Sequence, residues 1–370
     1  MLYLKVVFLR IVKSSLFIIF FLLLISCGSS KSVSANQLNV RFLDDFVLED
    51  SLTFQGIPIG GLSDVDFDGE HFYAICDQSS NPRIYRFQLQ IKNKKIDTLV
   101  IDKMIKVTDS TRNIKPVDFE GIIANPEEKT FLVSSEGLIN AGISAAILKT
   151  DFQGNIQKKY QLPSYFSTLE NARNNGMFEA LARDNSTEGF WVANELPLKN
   201  DGPKSTFFNR KSLVRFTKFS SEGITENQFA YRLNSISRIP ILPFALNGLT
   251  AILNYAPQKF ISVERSFSAG RGKKAYHVKL FLVDATSATK TLTLERLKKE
   301  EIKPAEKFLL FDFDDVRKKL TQKSIENIEG ICFGPQLPNG NKTLLLIADN
   351  NFNSFKKQLN QVILMEIINP

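Results

Sequence analysis

The stretch NNGMFEALARDNSTEGFWVANELPL, residues 174–198, decides the fold. Two short apolar runs flank a turn rich in Asp, Asn, Ser and Gly, the composition that closes a β-hairpin. Glu179 stands at the start of the first run and Glu195 directly follows the second. One acid thus marks each end of a hairpin that is otherwise apolar enough to be buried.

The arrangement recurs. GLSDVDFDGEHFYAICDQ from Gly61, DFEGIIANPEEKTFLVSSEG from Asp118, NGLTAILNYAPQKFISVERS from Asn247 and NIEGICFGPQLPNGNKTLLLIADNNF from Asn327 align with it. The acids pair as Asp64 with Asp77, Glu120 with Glu136, Glu179 with Glu195, and Glu329 with Asp349, while Glu264 closes the fourth unit opposite Thr250. Asp64, Glu120, Glu179, Thr250 and Glu329 follow one another at intervals of 56, 59, 71 and 79 residues. Such intervals exceed a solenoid repeat and suit four-stranded propeller blades carrying insertions. Runs such as RIYRFQLQI, SLVRFTKF and YHVKLFLVD supply outer strands, and helical periodicity rises only near Asp315–Lys323. The expected fold is all-β: a β-propeller of five blades, with room for a sixth between Ser266 and Lys323. The last unit lacks a fourth strand, and LNVRFLDDFVL (residues 38–48) can complete it and remove an open sheet edge.

Inner strands of a propeller end at the mouth of its central channel, so repeated acids at hairpin ends converge on one face. Carboxylates crowded together resist ionisation unless cations or donors balance them. Oxygen ligands without matching nitrogen or sulfur suit a hard cation such as calcium. An acid at a strand end can also serve a turn by accepting backbone N–H groups. Glu is a poor turn former, however, and fills six of the nine positions.

The first residues carry a separate message. Lys5, Arg10 and Lys13 precede an uncharged apolar run, Leu16–Ile25, which ends at LISC with Cys27. The run is too short to span a bilayer, which takes roughly 20 apolar residues. Residues 1–26 therefore read as a signal peptide of the lipoprotein type, Cys27 as the lipidated residue, and residues 27–38 as a flexible tether to a domain covering 39–370. Acyl chains on Cys27 place the protein at a membrane in the cell envelope. Gly28 and Ser29 follow, without an aspartate that would signal inner-membrane retention, which points to the outer membrane where a host has two. Setting the leader aside lowers the net charge from +8 to +5, an excess spread along the chain that excludes a nucleic-acid footprint. Cys76 and Cys332 then remain, outside any CxxC pair, with two histidines, His71 and His277. Zinc chemistry and a histidine-based triad have little to build on.

GGLSDVDFDGEHFYAICDQ, DFEGI with VSSEG, FEALA with ANELPL, ISVERSF, and NIEGICFGP with IADNNFN resemble, in the same order, the blocks of the phytase-like β-propeller family ("esterase-like activity of phytase"). The likeness runs from about Gly60 to Phe355. It implies a propeller and a calcium-assisted phosphoesterase activity, and leaves the substrate open; a small phosphorylated molecule as substrate and a monomeric protein are further expectations. In a metal-assisted phosphoesterase, carboxylates hold the metal and arginines receive phosphate oxygens. The candidates are Glu120, Glu179, Glu329, Arg265 and Arg83 for catalysis, and Glu136, Glu195, Glu264, Asp349, Asp64 and Asp77 for calcium. No GxSxG nucleophile motif is present. The competing expectation is a surface-tethered binding propeller that uses calcium for rigidity and its cup for a ligand, glycan or protein.

Overall fold

The computed structural model describes residues 38–368 except 112, 116, 210–211, 298–301 and 354–356. The leader and Cys27 lie outside the described residues. Among the described residues no helix is long and apolar enough to cross a membrane.

Five four-stranded antiparallel sheets form the body. Blade one holds Leu62–Phe67, Phe72–Cys76, Arg83–Lys92 and Lys95–Lys106; blade two holds Phe119–Asn125, Thr130–Ser135, Ala146–Asp151 and Ile156–Lys159. Blade three comprises Phe178–Arg183, Phe190–Asn194, Leu213–Phe219 and Thr225–Arg232, and blade four Ala245–Ala256, Lys259–Ser268, Tyr276–Asp284 and Glu306–Asp312. Blade five is made from both chain ends: Asn327–Gly334, Thr343–Asp349 and Asn360–Ile368 are joined by Asn39–Leu48, which pairs antiparallel with Asn360–Ile368. The N-terminal run closes the ring as its composition suggests, and the outermost edge of the last blade is covered. Among the described residues, the long interval after Ser266 contains no sixth blade. It holds the two outer strands of blade four, a 3₁₀ turn at Gly272–Lys274, and three more in succession, Phe313–Asp315, Arg317–Lys319 and Thr321–Lys323, where the helical period appears in the sequence.

Each second strand buries both faces, which is why its sequence is almost continuously apolar. Phe72, Ala74 and Cys76 pack toward Leu345, Ile347, Val362 and Leu364 of blade five. Tyr73 and Ile75 pack toward Phe119, Ile122 and Phe131 of blade two. Trp191 joins blades three and four, with Phe260 edge-on at 5.1 Å and its indole N–H donated to Asp184 at 2.9 Å. Cys76 and Cys332 are buried free thiols.

The inner strands share an irregularity. Their pairing with the second strand slips at Leu62/Asp64, Phe119/Gly121, Phe178/Ala180, Leu249/Ala251 and Ile328/Gly330. One residue per blade is therefore bulged, and the two-residue alternation of side chains inverts across it. Phe178 and Leu181, three apart, share one core face while Ala180 and Ala182 point to the other. Leu62 with Val65, Phe119 with Ile122, and Leu249 with Ile252 repeat the pattern. The bulged residues are Ser63, Glu120, Glu179, Thr250 and Glu329.

Candidate functional site

The bulge governs the chemistry, because it turns its residue out of the blade and toward the ring axis at the mouth of the channel. In blades two, three and five that residue is a glutamate. In blades one and four it is a hydroxyl that stitches to the next blade: Ser63 Oγ donates to Phe119 O at 2.6 Å and Thr250 Oγ1 to Ile328 O at 2.9 Å. Asp64 is thus one residue out of register with the other acids. It occupies the slot held elsewhere by Gly121, Ala180, Ala251 and Gly330. From there it accepts the Ile122 N–H at 3.0 Å and lies away from the mouth.

The second strand supplies the other side chain of each hairpin. Asp77 and Glu136 stand one residue beyond their ladders, donating their own N–H groups to Gly61 O and Asp118 O, and Glu195 likewise donates to Met177 O. Asp349 pairs with Asn327. In blade four the residue at this level is Arg265, opposite Gly248, whereas Glu264 pairs with Leu249. Glu264 consequently faces away from the axis. It accepts from Tyr231 Oη at 2.6 Å and from the Asn234 N–H and Asn247 Nδ2 at 3.0 Å each, and it pairs with Lys307. Arg83 is also elsewhere: its guanidinium binds Gln78 Oε1 at 2.6 Å, Asn81 O at 2.7 Å and Tyr85 Oη at 2.5 Å, bracing the loop between the second and third strands of blade one.

What remains forms one cavity of about 500 Å³. Eight carboxylates line it: Asp77, Asp118, Glu120, Glu136, Glu179, Glu195, Glu329 and Asp349, with Arg265 the one cationic lining residue among those described. The opposite wall is apolar and comes from blade four, through Phe244, Leu246, Phe267 and Tyr276. Arg265 reaches Glu195 at 2.8 Å and Glu329 at 3.2 Å, and also contacts Asn327, whose amide donates to Glu329 at 2.7 Å. Glu136 accepts the Gly176 and Met177 N–H groups at 2.5 and 3.1 Å. Close approach explains one glycine: a β-carbon at Gly248 would fall 2.3 Å from Glu195 Oε1. Asp118 sits in the left-handed region at φ 50°, a costly conformation that sites tolerate more often than cores do.

Burial and mutual repulsion raise these acids together. Burial pushes Asp77 to about 6, and burial with the charge of Asp77 lifts Asp118 and Asp349 to about 7. Glu136 reaches about 8, driven by burial and then by Asp118, despite its two amide donors. Burial holds Glu120, Glu179 and Glu329 well above the ordinary carboxylate range, reinforced by Glu179, Glu195 and Asp349 respectively. Glu195 is raised by burial and relieved by Arg265 and Lys204. Burial pulls the Arg265 guanidinium down, but Glu329, Glu195 and Glu179 outweigh it and keep the arginine charged.

Two observations show how the cup fits a hard cation. Asp118, Glu120 and Glu136 each offer an oxygen within 4.8 Å of the others. Glu179 Oε2 and Asp77 Oδ1 are buried with no hydrogen-bond partner among the described residues, an arrangement that costs free energy unless something positive meets them. A second acid–imidazole group, His277 with Asp312 and Asp314, is different in kind, because Lys279, Arg238 and Arg317 already pair with its carboxylates.

Asp118 and Asn327, two residues before the bulged position in blades two and five, escape a reading centred on acids at strand ends. The signal was present: Gly61, Asp118, Met177, Gly248 and Asn327 occupy one aligned column.

Fold and site together define a class, the five-bladed propeller with an acidic cup at its channel mouth. The chain belongs to the phytase-like family described as "Esterase-like activity of phytase", which matches residues 57–352. A search of curated proteins finds no match. Similar solved structures include a Dos1 propeller (7% identity, 82% of this chain and 68% of that one, TM-score 0.34) and a thermostable family-43 glycoside hydrolase (9%, 84% and 94%, 0.45). A structure from Thermus thermophilus, described as a putative oxidoreductase (glucose dehydrogenase), aligns at 11% identity over 90% of this chain and 100% of that one, TM-score 0.38.

Proposed function

We propose that the protein is an exported phosphoesterase-like hydrolase, tethered to a membrane of the cell envelope through Cys27, that works at the acidic cup with calcium. The observation that carries this reading is the imbalance in the cup: eight carboxylates face a single arginine, and two of their oxygens are buried without partners. Asp118, Glu120 and Glu136 would hold the ion, with Asp77 and Asp349 beside them. A bound calcium ion supplies positive charge at a phosphoryl group and makes water more acidic.

The chain's own residues perform the rest. Arg265, fixed between Glu195 and Glu329, binds and orients phosphate oxygens across from the carboxylates, the role a planar guanidinium suits. Burial, reinforced by Glu195, raises Glu179 above the ordinary carboxylate range, the direction required of a group that protonates the departing alcohol. Asp64, Glu264 and Arg83, engaged outside the cup, carry no step. The substrate is a small phosphorylated molecule, the protein acts as a monomer, and in a host with two membranes it resides at the outer one.

The apolar wall from blade four favours a second reading, a binding propeller that holds an organic ligand and uses calcium for rigidity. One experiment separates the two: phosphate release from a generic phosphomonoester, with calcium and with chelator, for the parent and for Glu120→Gln and Arg265→Met. Calcium-dependent release that both substitutions reduce at least about a hundredfold supports the hydrolase, since each removes a charge acting at the transition state. Absence of release, with a chelator-sensitive melting temperature, selects the binding protein. Mass analysis of the mature N-terminal peptide for acyl chains on Cys27 tests the tether independently.

A further inference from the structure

Three loops beside the cup share an unusual composition. Residues 203–209, 237–244 and 269–274 read PKSTFFN, SRIPILPF and AGRGKK, and together hold five Lys/Arg and no Asp/Glu. The whole chain past its leader has a net charge of only +5. The loops form one surface: Thr206 O accepts the Ile236 N–H at 3.2 Å, Ala269 O accepts those of Ile241 and Leu242 at 2.8 and 3.2 Å, and Arg271 Nε donates to Ile239 O at 2.7 Å. Phe208 is 89% exposed, Ile241 67%, and Ile239, Leu242 and Phe244 57% each. Arg271, Lys273 and Lys274 are exposed among them, while Arg238 is committed to Asp314.

A contiguous set of protruding aliphatic and aromatic side chains marks an interaction surface rather than ordinary exposure. The charge beside it selects the partner. Large apolar side chains projecting from loops that carry only cations are the composition of an element that lies in a membrane interface, with apolar tips below the headgroups and Lys/Arg among the phosphates. We infer that these three loops are a docking surface for an anionic phospholipid bilayer. Phe208, Ile241 and Leu242 enter the leaflet, and Arg271, Lys273 and Lys274 meet its phosphates. Because Phe244 belongs both to this surface and to the wall of the cup, docking sets the channel mouth beside the leaflet. The inference is independent of whether the cup hydrolyses anything, and it concerns which face meets the membrane rather than what tethers the chain.

The test uses the full chain carrying Cys27→Ser, so that no acyl group contributes, with an environment-sensitive dye on Ile241→Cys. Cys76 and Cys332 are buried and stay unlabelled. A control dye on Glu188→Cys reports the inner-hairpin turn of blade three, at the far end from the cup. Vesicles of phosphatidylcholine with phosphatidylglycerol are expected to shift the emission at 241 to the blue and leave that at 188 unchanged. Pure phosphatidylcholine vesicles are expected to do far less. Combined Arg271→Glu, Lys273→Glu and Lys274→Glu substitutions are expected to weaken partitioning at least about a hundredfold, from the attraction typical of each surface cation. An aqueous spectrum at 241 with anionic vesicles overturns the proposal and assigns the surface to a protein partner. So does an equal shift with neutral vesicles that charge reversal leaves intact.

Discussion

Blades two and four are built on the same hairpin, with the same bulge between an apolar residue and a small one, yet they face the channel mouth with opposite chemistry. Blade two presents Asp118, Glu120 and Glu136; blade four presents Gly248, Thr250 and Arg265 at the matching positions, then adds the apolar wall. The backbone device is indifferent to what it aims. Three columns carry the difference between the acidic side of the cup and its counter-charge: the bulge, the residue two positions before it, and the residue opposite that one on the second strand. Blade four thereby prevents the ring from being a uniform circle of repelling acids.

The comparison breaks most severely at Arg265. Arg265→Met leaves Glu195 and Glu329 buried without their cation, and the loss expected is about 3–5 kcal/mol, as when one partner of a buried pair is removed. Denaturant unfolding in chelator measures it. Next is Gly248→Val, which forces a β-carbon against Glu195 Oε1 and is expected to cost about 1–3 kcal/mol in the same assay through overpacking.

Titration sharpens the contrast without mutation. Acids whose folded pKa exceeds the unfolded value give a stability contribution that is intact below the ordinary carboxylate range and is lost as pH rises through the folded pKa. With Asp77 near 6, Asp118 and Asp349 near 7 and Glu136 near 8, the cation-free protein is expected to melt at progressively lower temperature from about pH 5 to about pH 8. Calcium is expected to reverse the loss, by about 2.7 kcal/mol at a hundredfold excess over Kd. Scanning calorimetry across that range checks both. The smallest effect is expected from Ser63→Ala, which removes the hydroxyl bridge to Phe119 O and is worth about 1 kcal/mol in denaturant unfolding.

Much of this was legible in the chain. Alternating apolar runs with turn residues, repeated five times, indicate blades, and the N-terminal strand is recognisable by what the last blade lacks. The acids Glu120, Glu136, Glu179, Glu195, Glu329, Asp77 and Asp349 do gather, as their place at hairpin ends implies. Asp64 and Glu264 do not, for one physical reason: a one-residue slip in a strand sends a side chain to the opposite face. Counting acids cannot detect that slip, but the apolar residues can. In LSDV, FEGI, FEAL, LTAI and IEGI the hydrophobes stand three apart, a spacing that a strand without a bulge cannot place on one face. Aligning on those hydrophobes puts Ser63 rather than Asp64 at the bulge, while the placing of Arg265 rather than Glu264 rests on the pairing of Arg265 with Gly248. Asp118 escapes that pattern because its left-handed backbone lies outside strand periodicity altogether.

The pairing of Asn39–Leu48 with Asn360–Ile368 has a consequence for biogenesis. Asn39–Leu48 finds its partner only once Asn360–Ile368 has left the ribosome, so blade five stays incomplete until then. Glu329 and Asp349 belong to that late blade, and the cup therefore gathers its full complement of acids only after that pairing. A chain that lacks blade five still holds Asp118, Glu120 and Glu136 together on the hairpin of blade two, but it lacks Glu329, whose charge adds to the repulsion at Glu179.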